Sequence, residues 1–276
     1  MKIRYLGTGA AEGIPAVFCE CRICKNARKI QGKEIRSRSQ ALIDDSLLID
    51  FGPDTYWHSI RYGIELSRID YVLITHSHGD HLLYHDLICR KKNRFLEPLN
   101  HNAMNVYGSM GVGKELHLLD NGNVTRDGSV VFYCLKPFEE VNIREYKIIP
   151  LPAIHSSEQP LVYSISNKDK SILYCHDSDI LSDESLDYLK NRQIVYDLVS
   201  LDCTEGNKEI NYTGHMNFSK NIDMRIKMER YGLVNEHTIY ITSHFSHNGL
   251  VTYEEAKKIA LEIGFEVAYD GMEVTL

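Results

Sequence analysis

No stretch of this sequence approaches the ~18 consecutive apolar residues that a membrane span requires. The opening residues, Met1-Lys2-Ile3-Arg4-Tyr5-Leu6, are too few and too charged for a secretory signal. Basic residues are outnumbered: 31 Lys and Arg face 38 Asp and Glu, a formal net charge of −7. That balance argues against a general polyanion binder held by a basic surface, although a small phosphate in a metal-charged pocket stays compatible with it. No internal repeat, low-complexity tract or linker interrupts the chain. The seven cysteines cannot all pair with one another. Together with the missing export signal, this points to a reducing cytoplasm. What the chain does have is a globular composition. Hydrophobic residues make up 43% of its 276 positions, enough for a sizeable core. The length suits one two-sheet α/β domain over 1–276.

The stretch around which the chain is organised is Thr75-His76-Ser77-His78-Gly79-Asp80-His81. Tyr71-Val72-Leu73-Ile74 before it is a short run of β-formers, read as a buried strand over 71–75. Three imidazoles and a carboxylate at a strand end repel one another once protonated and make poor core material. A metal ion removes that conflict, because imidazole nitrogen and carboxylate oxygen are both good zinc ligands. With H-x-H-x-D-H spacing, a loop can turn the first pair toward one ion and the second pair toward a neighbour. A surface histidine cluster is the plainer alternative.

Cys19-Glu20-Cys21-Arg22-Ile23-Cys24 gathers three thiols in a C-x-C-x2-C cluster. They fit three corners of a tetrahedral zinc site, with the fourth ligand supplied from elsewhere. Such a zinc would staple an irregular loop at about 15–30. A disulfide plus one free thiol is the alternative. Gly7-Thr8-Gly9-Ala10-Ala11-Glu12-Gly13 follows a first strand over 2–6. It does not fit G-x-G-x-x-G, and no helix follows at once, so its glycines are read as letting the backbone pass close to something.

Further elements follow from pattern. Residues 39–42 and 47–51 read as a hairpin. Residues 54–62 and 80–92 read as helices. Residues 105–108, 145–151, 161–166, 171–175, 196–203 and 237–242 read as strands. Asn217 is placed to cap a helix, and Thr252-Tyr253-Glu254-Glu255 is a capping box. Between 100 and 130 a strand, a short helix and a turn-rich segment at Asn121-Gly122-Asn123 are expected. Arg90-Lys91-Lys92-Asn93-Arg94 reads as a solvated helix end; contact with a substrate phosphate is the alternative.

His76, His78, Asp80 and His81 resemble the signature of the metallo-β-lactamase superfamily of binuclear metallohydrolases. The resemblance extends over nearly the whole chain. The glycine loop, the cysteine cluster and Tyr269-Asp270-Gly271-Met272 are similar to the branch containing the PhnP phosphodiesterases. This resemblance implies an α/β fold, the four-layer αββα sandwich. It implies two active-site divalent ions, zinc or manganese. His76, His78 and His155 would hold one, and Asp80, His81 and His244 the other. Asp177 would bridge them, with Asp179 and His176 as rivals for that role. Asp50 would orient the metal loop without binding metal. A structural zinc would sit on Cys19, Cys21 and Cys24 and be completed by His247.

The same resemblance gives Asp80 and His215 catalytic parts. Asp80 would hydrogen-bond the nucleophile, and His215 would protonate the leaving oxygen or hold the phosphate; a helix-capping role is the alternative for His215. Tyr84 departs from the pattern, which usually has glycine there. The implied function is hydrolysis of a small phosphodiester, such as a cyclic ribose phosphate, through a metal-bridged hydroxide. Three alternatives stand beside it. One is a tRNase Z-like RNA processing nuclease, disfavoured by the acidic charge and by the lack of a long Gly/Pro-rich arm. Another is hydrolysis of a thioester or lactam. The third is a PqqB-like non-catalytic metal- or metabolite-binding protein. A small-molecule substrate is expected as partner, without membrane or nucleic acid, and homodimers are common among such relatives.

Overall fold

Short runs of β-branched and aromatic residues pair into two sheets in the computed structural model, which describes residues 1–91, 102–120 and 123–276. In chain order the strands are β1 (Lys2–Gly7), β2 (Gln40–Ile43), β3 (Leu47–Ile49), β4 (Tyr71–Leu73), β5 (Met104–Gly108), β6 (Val130–Cys134) and β7 (Val141–Ile143). They continue with β8 (Tyr146–Pro152), β9 (Leu161–Ser166), β10 (Ser171–Cys175), β11 (Leu198–Asp202), β12 (Ile239–Ser243), β13 (Glu266–Val267) and β14 (Met272–Thr275). One sheet runs β14-β1-β2-β3-β4-β5-β6 and the other β13-β12-β11-β10-β9-β8-β7. In each, one half is antiparallel and the other parallel. The parallel parts are β3 to β6 and β10 to β13.

The helices are α1 (Arg22–Ile30), α2 (Thr55–Tyr62), α3 (Tyr84–Leu87), α4 (Met110–Asp120), α5 (Asn123–Arg126), α6 (Asp183–Asn191), α7 (Phe218–Tyr231) and α8 (Tyr253–Glu262). Side chains alternate between the faces of each strand, so each sheet contributes to two clusters. Between the sheets, Ile3, Tyr5 and Ile49 pack with Tyr163, Ile172 and Leu198. On the outer face of the first sheet, Leu48, Val72 and Val106 pack with Val112 and Leu116 of α4. On the outer face of the second, Leu173 and Val199 pack with Leu186 of α6, Met224 of α7 and Ala256 of α8. The result is the αββα sandwich that the sequence led us to expect. Strands buried on both faces carry the continuous apolar runs seen in the sequence.

Helix starts follow their caps. The Asn217 side chain accepts from the Lys220 N–H at the start of α7. Thr252 and Glu255 form the reciprocal capping box of α8. The helix expected over 80–92 is a correction. It shrinks to α3 plus one 3₁₀ turn at Ile88–Arg90. The backbone of 81–83 is engaged elsewhere: Phe51 N–H donates to His81 O, and Leu83 N–H donates to Phe51 O. The cysteine loop is also more regular than expected, because α1 begins at Arg22 and takes up Cys24, with Cys21 as its cap. Strand β6 was not foreseen, and α4 is longer than the short helix expected. Residues 92–94 of the basic cluster, residues 121 and 122 of the turn-rich segment and the Tyr84 side chain lie outside the described residues. No helix among the described residues is long and apolar enough to cross a membrane.

Parallel strands end where the backbone leaves the ladder, and ligands collect outside those ends. Asp50 follows β3, His76 follows β4, Asp177 follows β10, Asp202 closes β11 and His244 follows β12. Gly52 lies directly against this region. A Cβ at Gly52 would stand 1.9 Å from the Asp80 carbonyl oxygen. Gly52→Ala is therefore expected to push the Asp80 backbone aside and destabilise the protein by ~2 kcal/mol or more in denaturant unfolding. An unchanged unfolding midpoint would show that the crossing is loose.

Candidate metal centre

Two groups of ligand atoms meet in a cleft of about 310 Å³. In the first, His76 Nε2 lies 3.0 Å from His78 Nδ1, which lies 3.2 Å from His155 Nε2. Burial, reinforced by the neighbouring imidazoles, pushes His76 well below the usual imidazole range. Burial also lowers His155. His76 and His155 therefore favour the neutral form at pH 7, with lone pairs to offer a cation.

The second group contains Asp80, His81, Asp177 and His244. His81 Nε2 stands 2.7 Å from Asp177 Oδ2 and 3.0 Å from Asp80 Oδ2. His244 Nε2 stands 2.8 Å from Asp177 Oδ2. Yet His81 Nε2, His244 Nε2 and Asp177 Oδ2 are buried without a hydrogen-bond partner. The opposite edges of the rings explain this. His81 Nδ1 is 2.7 Å from Asp50 Oδ2. His244 Nδ1 is 3.3 Å from Asp202 Oδ2 and 2.8 Å from Thr204 Oγ1. A proton held at Nδ1 would leave the Nε2 lone pair for a cation; with no cation bound, a second proton on each ring faces the Asp177 carboxylate instead. A divalent cation among these atoms satisfies them all, and the nitrogen–oxygen donor set suits one.

Asp177 stands between the groups. Its other oxygen, Oδ1, lies 3.8 Å from His155 Nε2 and 3.7 Å from His215 Nδ1. The two rivals turn elsewhere. Asp179 Oδ2 pairs with Lys220 Nζ at 2.6 Å. His176 is buried against Tyr174 and faces Ser39 and Ser200, and burial takes it down to about 3. Asp50, Asp177 and His244 hold φ of 67°, 51° and 62°. The left-handed region costs a non-glycine residue about 1–3 kcal/mol, and the surroundings hold three residues of one site there.

Asp202 is the residue that sequence reasoning missed. It is fully buried and accepts from the N–H groups of Asp177, Thr204 and Met216 at 3.1, 3.0 and 2.9 Å. It also faces His215 Nδ1 at 3.2 Å. Its signal was present: like Asp50, it is an acid at the end of a buried, mostly apolar strand. Burial opposes a charge on His215, but Asp202 outweighs it and raises that imidazole above its ordinary range. His215 lines the cleft together with His78, Asp80 and His155.

A further cluster lies outside this cleft. Cys19, Cys21, Cys24 and His247 bring their ligand atoms within 4.8 Å of one another. His247 Nδ1 is 3.5 Å from both Cys19 Sγ and Cys21 Sγ. All seven cysteines are free in this structure. Burial opposes ionisation of Cys21, but the Cys24 N–H at the start of α1 and the neighbouring thiols and His247 draw it down to about 6. Burial holds Cys24 up at about 12. Three sulfur atoms and an imidazole nitrogen make a donor set suited to a tetrahedral ion.

Residues 46–266 match the family model described as a beta-lactamase superfamily domain, and the chain belongs to that family. The two facing sheets and the ligand groups at their strand ends lie largely within that matched domain. In structure the chain is similar, over 100% of its length and 97% of the other chain, to a protein described as a new diphosphatase from the PhnP family, with a TM-score of 0.78 and 22% identity. In sequence it is 26% identical over 208 residues to an octanoyltransferase of Porphyromonas gingivalis, covering 71% of this chain and 38% of that protein. It is also 26% identical over 171 residues to a ribonuclease Z of Picosynechococcus, covering 62% of this chain and 48% of that protein. The chain thus spans less than half the length of each of these two curated relatives.

The electrostatics set a pH dependence. Burial opposes the second proton on His244, but Asp177 and Asp202 bring it up to about 10, above the ordinary 6.5. In the metal-free protein that contribution to stability is complete below about pH 6.5 and is lost as pH rises toward 10. Metal uptake requires the same nitrogens without their protons. Binding at pH 7 should therefore release protons, read by calorimetry in two buffers of different ionisation enthalpy. Binding without proton release would mean that these rings are already neutral in the metal-free protein.

Proposed function

We propose that this protein is a binuclear metal-dependent phosphodiesterase acting on a small phosphodiester. The observation that carries the reading is the position of Asp177, one carboxylate standing between two ligand groups. His76, His78 and His155 would hold one divalent ion; Asp80, His81 and His244 would hold the other; Asp177 would touch both. Nitrogen and oxygen donors of this kind suit zinc or manganese. Cys19, Cys21, Cys24 and His247 would hold a separate structural zinc. Bound in the cleft, the paired ions would supply an activated water and neutralise charge on the phosphoryl oxygens.

The chain's own groups carry the other parts. Asp50 and Asp202 keep His81 and His244 in one tautomer and one orientation. Burial opposes ionisation of Asp80, but His81 holds it well below the usual carboxylate range. It is therefore an acceptor at neutral pH, able to orient the nucleophile. His215, whose proton affinity Asp202 raises, would donate to the departing oxygen. The fold shared with a protein described as a diphosphatase supports phosphorus chemistry at this site. The likeness to a ribonuclease Z favours a second reading, cleavage of an RNA phosphodiester by the same groups. Precursor tRNA cleaved in preference to small diesters would select it.

Metal analysis of the purified protein should find about three ions per chain. Bis-p-nitrophenyl phosphate hydrolysis should fall at least ~10²-fold in Asp80→Ala. Cys21→Ser should lose one metal equivalent and melt earlier. A single ion held by the cysteines, without diesterase turnover, would leave a binding protein. His215→Ala should slow release of an alkoxide by ~10²-fold or more but release of p-nitrophenolate much less, because the latter departs without protonation. Equal losses for both leaving groups would remove His215 from the proton-donor role.

A further inference from the structure

The loop between β11 and α7, residues 203–217, brings His215 to the cleft and Tyr212 with it. Tyr212 is 43% exposed and lines the cleft wall beside the ligand groups. It is nonetheless held at both ends. Its hydroxyl donates to Glu205 Oε1, and Glu205 is only 6% exposed. Its carbonyl accepts from Lys220 Nζ at 3.2 Å. The same Lys220 nitrogen binds the His215 carbonyl at 3.2 Å and Asp179 Oδ2 at 2.6 Å. Asn217 Nδ2 ties the loop again at Lys208 O, at 2.8 Å. Little conformational freedom is left for a ligand to remove, which is the property of a preorganised contact surface.

We infer that Tyr212 is a specificity-determining residue: a fixed flat wall against which a planar aromatic ester group of the substrate stacks while its phosphodiester occupies the neighbouring ligand groups. The inference rests on the phosphodiesterase reading and narrows it to aryl or nucleobase-bearing diesters. Two other roles for the ring fit less well. Burial and the Glu205 carboxylate push the phenol up, away from the range of a proton donor at neutral pH. An ammonium-bearing substrate would need the Glu205 charge, but Lys208 Nζ already stands 3.4 Å from Glu205 Oε2 and offsets it. A stacking partner needs only aromatic surface open to the cleft, and Tyr212 is a half-exposed member of the cleft lining. Stacking on an aromatic side chain tolerates any flat group, so this wall selects for planarity rather than for one particular base.

The test compares two diesters with a common leaving group, p-nitrophenyl phenyl phosphate and p-nitrophenyl methyl phosphate, on the metal-loaded protein. The quantity read is the phenyl-to-methyl ratio of kcat/KM in wild type divided by that in Tyr212→Ala, which cancels the intrinsic reactivity of the two compounds. A value of about ten or more is expected, with the ratio largely retained in Tyr212→Phe, which keeps the ring. Metal content equal to wild type in both variants separates the effect from misfolding. A value within about twofold of one, with both diesters turned over, would overturn the aromatic wall and leave the diesterase reading intact. Wild type that turns over neither diester would overturn the diesterase reading, and this inference with it.

Discussion

Two buried carboxylates facing imidazole edges organise this molecule. Asp50 is closed in by the Thr75 N–H and hydroxyl and by His81. Asp202 is closed in by three backbone N–H groups, the Thr204 hydroxyl and two imidazoles. Burying a charge is unfavourable unless it is paired and hydrogen-bonded, and here each carboxylate oxygen has at least one donor. Because each acid holds the Nδ1 edge of a histidine, the Nε2 edges converge on Asp177. Removal of either acid would free the tautomer, the ring orientation and the loop that carries it.

The sandwich exists in a form that allows this. Parallel strands from both sheets end in one polar region, so residues far apart in the chain arrive with their backbones already fixed. Three of them adopt left-handed backbone conformations that an unsupported loop would relax. The apolar cluster between the sheets and those under the helices hold the strand ends in register. Rigidity comes from the layers, and chemistry from the loops they position.

The two ligand regions are linked through one short segment. His244 belongs to the central cleft, and His247, on the same loop, belongs to the cysteine cluster. Ser246 between them donates to Glu12 of the glycine-rich loop, which lines the cleft. A metal on the cysteines would therefore brace the loop that presents His244. The opposite wall is braced by Lys220 and Glu205, which hold the Tyr212 and His215 loop.

Residue type and local spacing by themselves determined a good deal. The His76–His81 motif, the cysteine cluster, the caps at Asn217 and Thr252 and most strands were legible, because each depends on neighbours only a few positions away. The membership of the ligand groups by His155, Asp177 and His244 was reached through family resemblance, since single polar residues after strands carry no spacing signal. Tertiary structure decided the rest. Asp202 looked like any strand-end acid until folding set it against two imidazoles. The helix expected over 80–92 lost its first turns because Phe51, thirty residues upstream, took the backbone bonds of 81–83. Asp177 was separated from Asp179 and His176 only by where β10 ends and by what Lys220, Ser39 and Ser200 attract. Local interactions are written in order along the chain; the pairing of distant polar groups is settled only when burial forces each of them to find a partner.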